Sequence, residues 1–527
     1  MPVSTFCLIV AEAFYINPDI SFMITLPAVL STFLVSAYID KLLADPWLLW
    51  FLLIFGILLV GRLFYDRITR KLYGNRIDPD YDDSPGHQYD VELLTANLKT
   101  GKKVITFFLA ALPLFYLGYV FVHGTQMQGH TMQWLNLIVR WIHVVVGIMW
   151  IGASFYFIFL ENNLNRTKGV RDELAGNLWA IHGGGFYFLE KYKVAPGKIP
   201  NDLHWFKYEA YLTWISGFVL LWIVYYMNPG SFLIDRSVAD ITSATAIAIG
   251  VGTLVTGWYV YDFMCKSPLV KKPWLFSLTG LVLLTALSIF LVNVFSSRAA
   301  FIHVGAVMGT MMAANVFFII IPSQKALVRA AIAGEELDPT LGTKAQERSL
   351  HNNYLTLPVI FTMISNHFPS TFAHDYNWAV LMGIVIASAG IKHYWNLVER
   401  GNKPKYILPL SVAGLLALAL VTSPLADRGS TDREIDFDDP ADFSDVNVVI
   451  QNRCATCHSA TPSDQIWRTA PAGIKFDSPE EIRNQADEIM RTSVHTDAMP
   501  LGNLTEMTQE ERDLIHRWVV QGAMIED

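Results

Sequence analysis

Ten apolar runs, most of them about twenty residues or longer, dominate the sequence and limit what the chain can fold into. A helix needs roughly 20 apolar residues to cross about 30 Å of hydrocarbon. At 52% hydrophobic and 16% charged, the chain is also more apolar than soluble proteins usually are. We therefore predict an all-α fold, a polytopic transmembrane helix bundle of about eleven spans once a shorter run is included. The runs lie at 20–38, 46–65, 103–122, 132–160, 208–227, 241–265, 275–295, 299–322, 377–397 and 404–425, with the shorter one at 354–368.

The basic residues indicate how these spans are oriented, because lysine and arginine accumulate in cytoplasmic loops. The loops 66–103 and 161–207 each carry seven such residues, whereas 123–133 and 369–376 carry none. Every second loop is basic. The pattern predicts a cytoplasmic N-terminus and places residue 426 onward on the outer side. No basic stripe suited to nucleic acid is present.

The segment after the last span contains Cys454-Ala455-Thr456-Cys457-His458, a C-x-x-C-H run. This is the attachment signature of c-type haem, in which two thiols bond to the porphyrin and the histidine ligates the iron. A zinc site would need a second ligand pair, and the other cysteines, Cys7 and Cys265, lie far away in apolar segments. Haem c is attached outside the cytoplasm, which agrees with the orientation given by the loops.

A second axial ligand of the haem c iron is expected in the same domain. Met499, followed by Pro500, is the best candidate because a thioether opposite histidine favours reduced iron. His495 is the alternative, and a core methionine without a ligand role is the other. A closing helix is predicted from a capping box at Thr508, with an apolar face that includes Trp518.

The sequence divides into four parts. Residues 1–125 form an N-terminal membrane extension with about three spans, and 126–426 form the main transmembrane domain. An acidic linker at 427–444 is too polar to bury and is predicted to be a tether. Residues 445–527 form the predicted class I-like mono-haem cytochrome c domain.

Histidines at membrane depth are candidate functional residues, because ionisable groups are costly there. His143 and His303 lie toward the outer side, and each has glycine nearby that allows close approach of a flat ring or another helix. We predict that they hold a haem b iron. The alternative is that both are hydrogen-bonded polar residues at helix interfaces.

A second layer of histidines lies toward the inner side and comprises His182, His351 and His393. Gly183, Gly184 and Gly185 follow His182, and successive glycine N–H groups can cradle an anionic or carbonyl-rich ligand. Such a run can equally be a hinge. Asn352 and Asn353 stand beside His351. The short run at 354–368 is predicted to be a tilted or broken helix lining a cavity.

Several of these motifs resemble the bacterial membrane-bound urate hydroxylase family (PuuD), from about residue 130 to the C-terminus. The matching segments are Arg140–His143 through Trp150–Tyr156, Trp179–Gly185, Leu203–Lys207, His303–Ala306 through Asn315–Phe318, and Ser365–His367. The resemblance implies an integral-membrane domain fused to cytochrome c that oxidises urate to 5-hydroxyisourate in purine degradation. Electrons would pass to the haem and then to a cytochrome acceptor or the respiratory chain. The first 125 residues or so have no counterpart in this pattern.

If urate is the substrate, as the resemblance implies, the inner histidines and their glycine and asparagine neighbours are candidates for catalysis and substrate binding. The catalytic candidates His182, His351 and His393 would accept protons, because imidazole titrates near neutral pH. The substrate-binding candidates Gly183, Gly184, Gly185, Asn352 and Asn353 would hold the purine oxygens. The protein would reside in the bacterial inner membrane, in contact with the lipid bilayer. Two alternatives are a non-enzymatic cytochrome relaying quinol electrons and a purine transporter with a redox tail, although no internal repeat typical of transporters is present.

Overall fold

A computed structural model describes residues 48–73, 85–122, 127–167, 169–200, 203–423, 437, 439–464, 467, 470–496 and 498–525. The predicted span at 20–38 and most of the linker at 427–444 lie outside the described residues. The described part is mostly helical, with one pair of strands.

The helices of the N-terminal and membrane parts are numbered in chain order. Their bounds are α1 Leu48–Tyr73, α2 Pro85–Val122, α3 Met127–Asn163, α4 Tyr208–Leu221, α5 Pro229–Phe232, α6 Ser243–Lys266, α7 Pro273–Val292, α8 Ser297–Ala314, α9 Ile321–Ala333, α10 Pro339–Ile364, α11 Pro369–Phe372, α12 Asn377–Glu399 and α13 Ile407–Val421. A π-helical segment, Trp222–Tyr226, extends α4, and another, Asn315–Ile320, joins α8 to α9. Short 3-10 turns occupy Pro268–Lys271 and Ser365–His367.

Five helical segments among the described residues are long and apolar enough to cross a membrane. They are Gly129–Asn163, Tyr208–Tyr226, Ser243–Lys266, Pro273–Val292 and Ser297–Ala333, and α13 is a shorter apolar helix. The predicted spans at 208–227, 241–265 and 275–295 match three of them closely. These five candidate membrane-spanning helices indicate a membrane protein, as the hydropathy predicted, and the full count of eleven remains a prediction.

Helix α8 forms the centre of the membrane part. Its side chains Phe301, Val304 and Met308 are fully buried, and it packs against α6, α7 and α10. The hydroxyl of Ser296 accepts the amide of Ala299 and caps the helix, which fixes where it begins. Gly305 allows α10 to approach, because a Cβ atom there would overlap the Thr362 side chain.

Helix α10 corrects the prediction of a short, broken helix at 354–368. Residues 354–364 of that run are the end of one continuous helix with Pro358 inside it, and a 3-10 turn, Ser365–His367, follows. The first half of the helix contains Lys344, Glu347 and Arg348, so hydropathy alone hid the helix start. Asp338 caps that start through the amide of Thr340.

The all-α prediction misses a β-hairpin in the loop after α3. Strand β1, Leu174–His182, pairs antiparallel with β2, Gly185–Tyr192, and His182 faces Gly185 across the turn. Gly183 and Gly184 have φ of 58° and 79°, the left-handed values that a two-residue hairpin turn requires. Aromatic and β-branched residues in the strands then favour pairing.

Helices α1 and α2 form contacts with each other. The Tyr65 hydroxyl donates to the Leu98 carbonyl at 2.8 Å, and Lys102 Nζ donates to Asp66 Oδ2 at 2.7 Å.

The C-terminal helices form their own apolar cluster. They are α14 Phe443–Arg453, α15 Pro479–Asn484, α16 Ala486–Ile489 and α17 Gln509–Val520, with a π segment at Met490–Val494 and 3-10 turns at Pro471–Gly473 and Leu501–Asn503. Val446, Ile450, Ile482, Ile515 and Trp518 are buried together. Thr508 and Glu511 form the predicted capping box at the start of α17.

The C-terminal part contacts the membrane part at α5 and the residues that follow it. The Trp467 ring lies edge-on to Phe232 at 6.4 Å, and Ala498 belongs to the same buried cluster as Leu233 and Phe295. Gly502 also sits there, because a Cβ at this residue would lie 3.2 Å from the Ile234 carbonyl oxygen.

Candidate functional site

The C-x-x-C-H residues form one tight turn directly after α14. The amides of Cys457 and His458 both donate to the Cys454 carbonyl, at 3.2 and 2.9 Å. Both thiols are free rather than joined in a disulfide. Burial raises the pKa of the Cys454 thiol to about 12, so at neutral pH it remains protonated. The turn thus presents two reduced thiols and an imidazole within five residues.

His458 is held by a backbone carbonyl and an aromatic ring. Its Nδ1 lies 3.2 Å from the Ile474 carbonyl oxygen, and its ring packs 5.4 Å from Phe476. With Nδ1 donating to a carbonyl, Nε2 is the nitrogen left for iron. Burial lowers the pKa of His458, which favours the neutral, ligating imidazole. This donor set fits a covalently attached haem c.

Both backbone polar groups of Met499 are hydrogen-bonded. The Met499 amide donates to the Thr492 carbonyl at 2.9 Å. The Met499 carbonyl accepts from Arg512 Nη1 at 3.0 Å. The rival His495 instead lies against His516, with ring centroids 5.8 Å apart. Met499 as the second axial ligand remains a prediction. Within the described ranges no three His, Cys, Asp or Glu side chains group together, and a haem needs no such group because the porphyrin supplies four ligands.

His143 and His303 each form hydrogen bonds with different partners. His143 Nδ1 lies 3.1 Å from the Thr213 carbonyl and 3.0 Å from the Ser216 hydroxyl, both on α4. His303 is 0% exposed. Its Nδ1 faces the Ala299 carbonyl at 2.8 Å, and its Nε2 faces the Tyr226 hydroxyl at 3.0 Å.

Haem b held by His143 and His303 stays a prediction, to which these contacts give no support. Both nitrogens of His303 are already engaged, and the ring is enclosed by Phe295, Tyr225 and Tyr226. The residues that contact the two histidines on α4 and its π extension, Ser216 and Tyr226, are ten residues apart, about 15 Å of helical rise. The arrangement matches the alternative, in which both histidines are hydrogen-bonded polar residues between helices.

The inner histidine His351 lies in a buried polar network formed by three helical elements. Its Nδ1 lies 2.8 Å from the Tyr261 hydroxyl, and Phe276 stacks on its ring at 4.9 Å. Asn315 donates to both the Tyr261 hydroxyl, at 3.0 Å, and Asn352 Oδ1, at 2.8 Å.

A buried ion pair completes this network. Arg348 is 3% exposed and donates to Asp262 at 2.7 Å and to Asn315 at 2.9 Å. Lys266, which is exposed, forms a second ion pair with Asp262. We call Tyr261, Asp262, Asn315, Arg348, His351 and Asn352 the Tyr261 network.

The next residue of α10, Asn353, belongs to a different cluster. Asn396 Nδ2 donates to Asn353 Oδ1 at 3.1 Å, and one turn earlier on α12 the buried Lys392 ammonium lies 4.2 Å from the Phe155 ring centre. His393 is exposed and contacts the Tyr354 hydroxyl at 2.7 Å. Helix α10 therefore carries polar groups to two sides, Asn352 toward α8 and Asn353 toward α12.

Among the contacts of the described residues, none joins His182 or the glycine run to either cluster. Gly183 and Gly184 form the hairpin turn, and His182 is exposed beside them. The two glycines supply the left-handed backbone that this turn needs, and their role in substrate binding stays a prediction. Of the predicted inner residues, only His351 and Asn352 share a network.

Sequence reasoning missed several polar residues of the two clusters. Tyr261, Asp262, Asn315 and Arg348 were not singled out, and neither was Lys392. A signal was available for two of them, because Asp262 and Lys392 are charged residues inside predicted spans.

The fold and site together define a largely helical membrane protein with a C-x-x-C-H turn in a C-terminal helical part. The chain belongs to the urate oxidase N-terminal family, whose model matches residues 129–423, more than half of the sequence. No curated protein and no solved structure matches the chain. The membership points to urate-related oxidation.

Proposed function

We propose that this protein is a membrane-bound urate hydroxylase of the bacterial inner membrane, a urate:cytochrome c oxidoreductase that forms 5-hydroxyisourate. The observation that carries the proposal is that one chain joins a urate oxidase family domain to a C-x-x-C-H turn, with the two parts in contact at α5. Dioxygen is not needed as the direct acceptor if the electrons leave through the C-terminal domain to a cytochrome or the respiratory chain.

The reaction sets what the residues must do. The urate anion gains water and loses two electrons and two protons to give the 5-hydroxyisourate anion, which balances atoms and charge. Cys454, Cys457, His458 and Met499 would hold a haem c, which would supply a one-electron acceptor. Protons must be taken up by side chains near the purine.

His351 is the proton acceptor that the geometry supports best. Phe276 stacks on its ring, and when Nδ1–H donates to the Tyr261 oxygen, Nε2 carries the lone pair that can accept a proton. Asn315 holds both the Tyr261 hydroxyl and the Asn352 side chain in place. The network thus positions His351 and joins it to the ion pair of Arg348 and Asp262.

The proposed topology places the urate site toward the cytoplasmic side of the membrane and the C-terminal domain on the periplasmic side. The apolar runs predict about eleven spans, and the alternation of basic loops predicts a cytoplasmic N-terminus and a periplasmic cytochrome c domain. Basic inner loops would also attract anionic urate.

The test is an anaerobic optical spectrum of the purified full-length protein mixed with urate. Reduction of the c-type haem is expected, and an unchanged spectrum would contradict the enzyme. His351→Gln should remove urate-dependent reduction while the chemically reduced spectrum stays normal. The matched control is His130→Gln, which changes an exposed histidine of α3 and should leave the rate intact. Full activity in His351→Gln would overturn its role.

A further inference from the structure

Lys392 is a buried cation whose counter-charge is not supplied by a direct contact. It is 2% exposed, and its ammonium lies over the Phe155 ring. Among the described residues no carboxylate forms an ion pair with it. Glu399 lies two turns further along α12, where its carboxylate accepts from Asn162 at 2.8 Å. A buried charge without a partner is costly, and a cation–π contact offsets only part of that cost.

The neighbouring Asn353–Asn396 pair leaves a donor and an acceptor unused. The two residues are 0% and 2% exposed, and they share a single hydrogen bond. Asn353 Nδ2 and Asn396 Oδ1 are buried without partners. Exchanging the oxygen and nitrogen of both amides reverses the bond but still leaves one donor and one acceptor unpaired. Buried polar groups of this kind indicate an absent partner.

The three side chains converge from two helices. Lys392 and Asn396 are one turn apart on α12, a spacing that puts their Cβ atoms about 6 Å apart on one face. Asn353 of α10 bonds to Asn396, and Phe155 of α3 stands against the lysine. We call Phe155, Asn353, Lys392 and Asn396 the Lys392 cluster.

We propose that the Lys392 cluster is the subsite that binds the anionic edge of the purine substrate. This rests on the proposed function. A purine anion such as urate is planar, carries negative charge, and presents neighbouring C=O and N–H groups. Its charge would pair with Lys392, while a carbonyl and an N–H would use the free Asn353 donor and Asn396 acceptor. His351 and Asn353 lie two residues apart on α10, a spacing that turns their side chains to different sides of the helix, so His351 would not contact the same edge of the purine.

The experiment measures binding of 8-azaxanthine, a purine-like anion, to full-length protein by titration calorimetry. Lys392→Met removes the charge and keeps much of the chain length. A charge-assisted hydrogen bond contributes enough that the Kd should rise roughly 10- to 100-fold. Lys392→Arg should retain part of the affinity. The matched control is Lys405→Met, which removes an exposed lysine from a predicted inner loop and should change the Kd by less than about twofold.

A second variant keeps the proposal testable if Lys392→Met fails to fold. Asn396→Asp preserves side-chain size, places a carboxylate one turn from Lys392, and should weaken 8-azaxanthine binding in the same direction. The urate KM of each variant should rise in parallel. Wild-type affinity in both Lys392→Met and Asn396→Asp, or no 8-azaxanthine binding by the wild-type protein, would overturn the subsite.

The outcomes separate this inference from the proposed function. Wild-type protein that binds 8-azaxanthine through Lys392 but never reduces its haem with urate would contradict the enzyme and leave the anion subsite standing. Wild-type protein that turns over urate, with Lys392→Met unchanged in Kd and KM, would contradict the subsite alone.

Discussion

The buried ion pair of Arg348 and Asp262 gives an asymmetric prediction about stability. Asp262 has two cationic partners, Arg348 and the exposed Lys266, whereas Arg348 has Asp262 as its carboxylate partner among the described residues. Replacing Asp262 therefore leaves a buried cation without a compensating charge, but replacing Arg348 leaves Asp262 paired with Lys266. The two single variants should not be equivalent.

The expected changes in the free energy of unfolding follow from the burial of the two side chains. Removing one partner of a buried ion pair typically costs 3–5 kcal/mol, so Asp262→Asn should lower the free energy of unfolding by about 3 kcal/mol. Arg348→Met loses its hydrogen bonds to Asp262 and Asn315, but its apolar replacement needs no counter-charge. Its cost should be about 1–2 kcal/mol. The double variant should be no less stable than Asp262→Asn.

The assay is equilibrium unfolding in mixed detergent micelles, followed by circular dichroism, with the exposed-partner variant Lys266→Met as control. Lys266→Met should lie within about 1 kcal/mol of wild type because exposed ion pairs contribute little. A larger cost for Arg348→Met than for Asp262→Asn would refute the reasoning, since it would mean that Asp262 rather than Arg348 depends on the pair.

Three further predictions concern the C-terminal part. Met499→His should lower the haem reduction potential in a redox titration, because a thioether ligand favours reduced iron, and an unchanged potential would exclude Met499 as ligand. Gly502→Val should slow urate-driven haem reduction, because its Cβ would meet the Ile234 and Ser231 carbonyls at φ +57°, and an unchanged rate would contradict the importance of this contact. Burial lowers the pKa of His516, so below its ordinary value of 6.5 the unfolded chain binds the proton more readily. Thermal stability should therefore fall as pH decreases through about 6.5, less so in His516→Asn, and an identical pH dependence in the variant would contradict this.

Local features were readable from the sequence because their residues are close together in it. Cys454, Cys457 and His458 fold into one turn with bonds to the Cys454 carbonyl, so spacing alone located them. The capping box at Thr508 is equally local. Several span boundaries also followed from hydropathy, whose signal extends over about twenty residues.

The candidate membrane site was only partly readable because its contacts join different helices. His351 was identified as a polar residue at membrane depth, but its partner Tyr261 is ninety residues away. The π segment at Asn315, where this side chain bonds to Tyr261, Arg348 and Asn352, depends on tertiary contacts that no local pattern reveals. The glycines after His182 had two interpretations, and their left-handed φ values in a hairpin turn favour the structural one.

The measurement that tests the central claim most directly is the stoichiometry of anaerobic urate oxidation in water labelled with oxygen-18. The account predicts that each urate consumed reduces two equivalents of c-type haem and that the 5-hydroxyisourate formed carries one labelled oxygen from water. Urate consumption that requires dioxygen, with no haem reduction and no label from water, would contradict it.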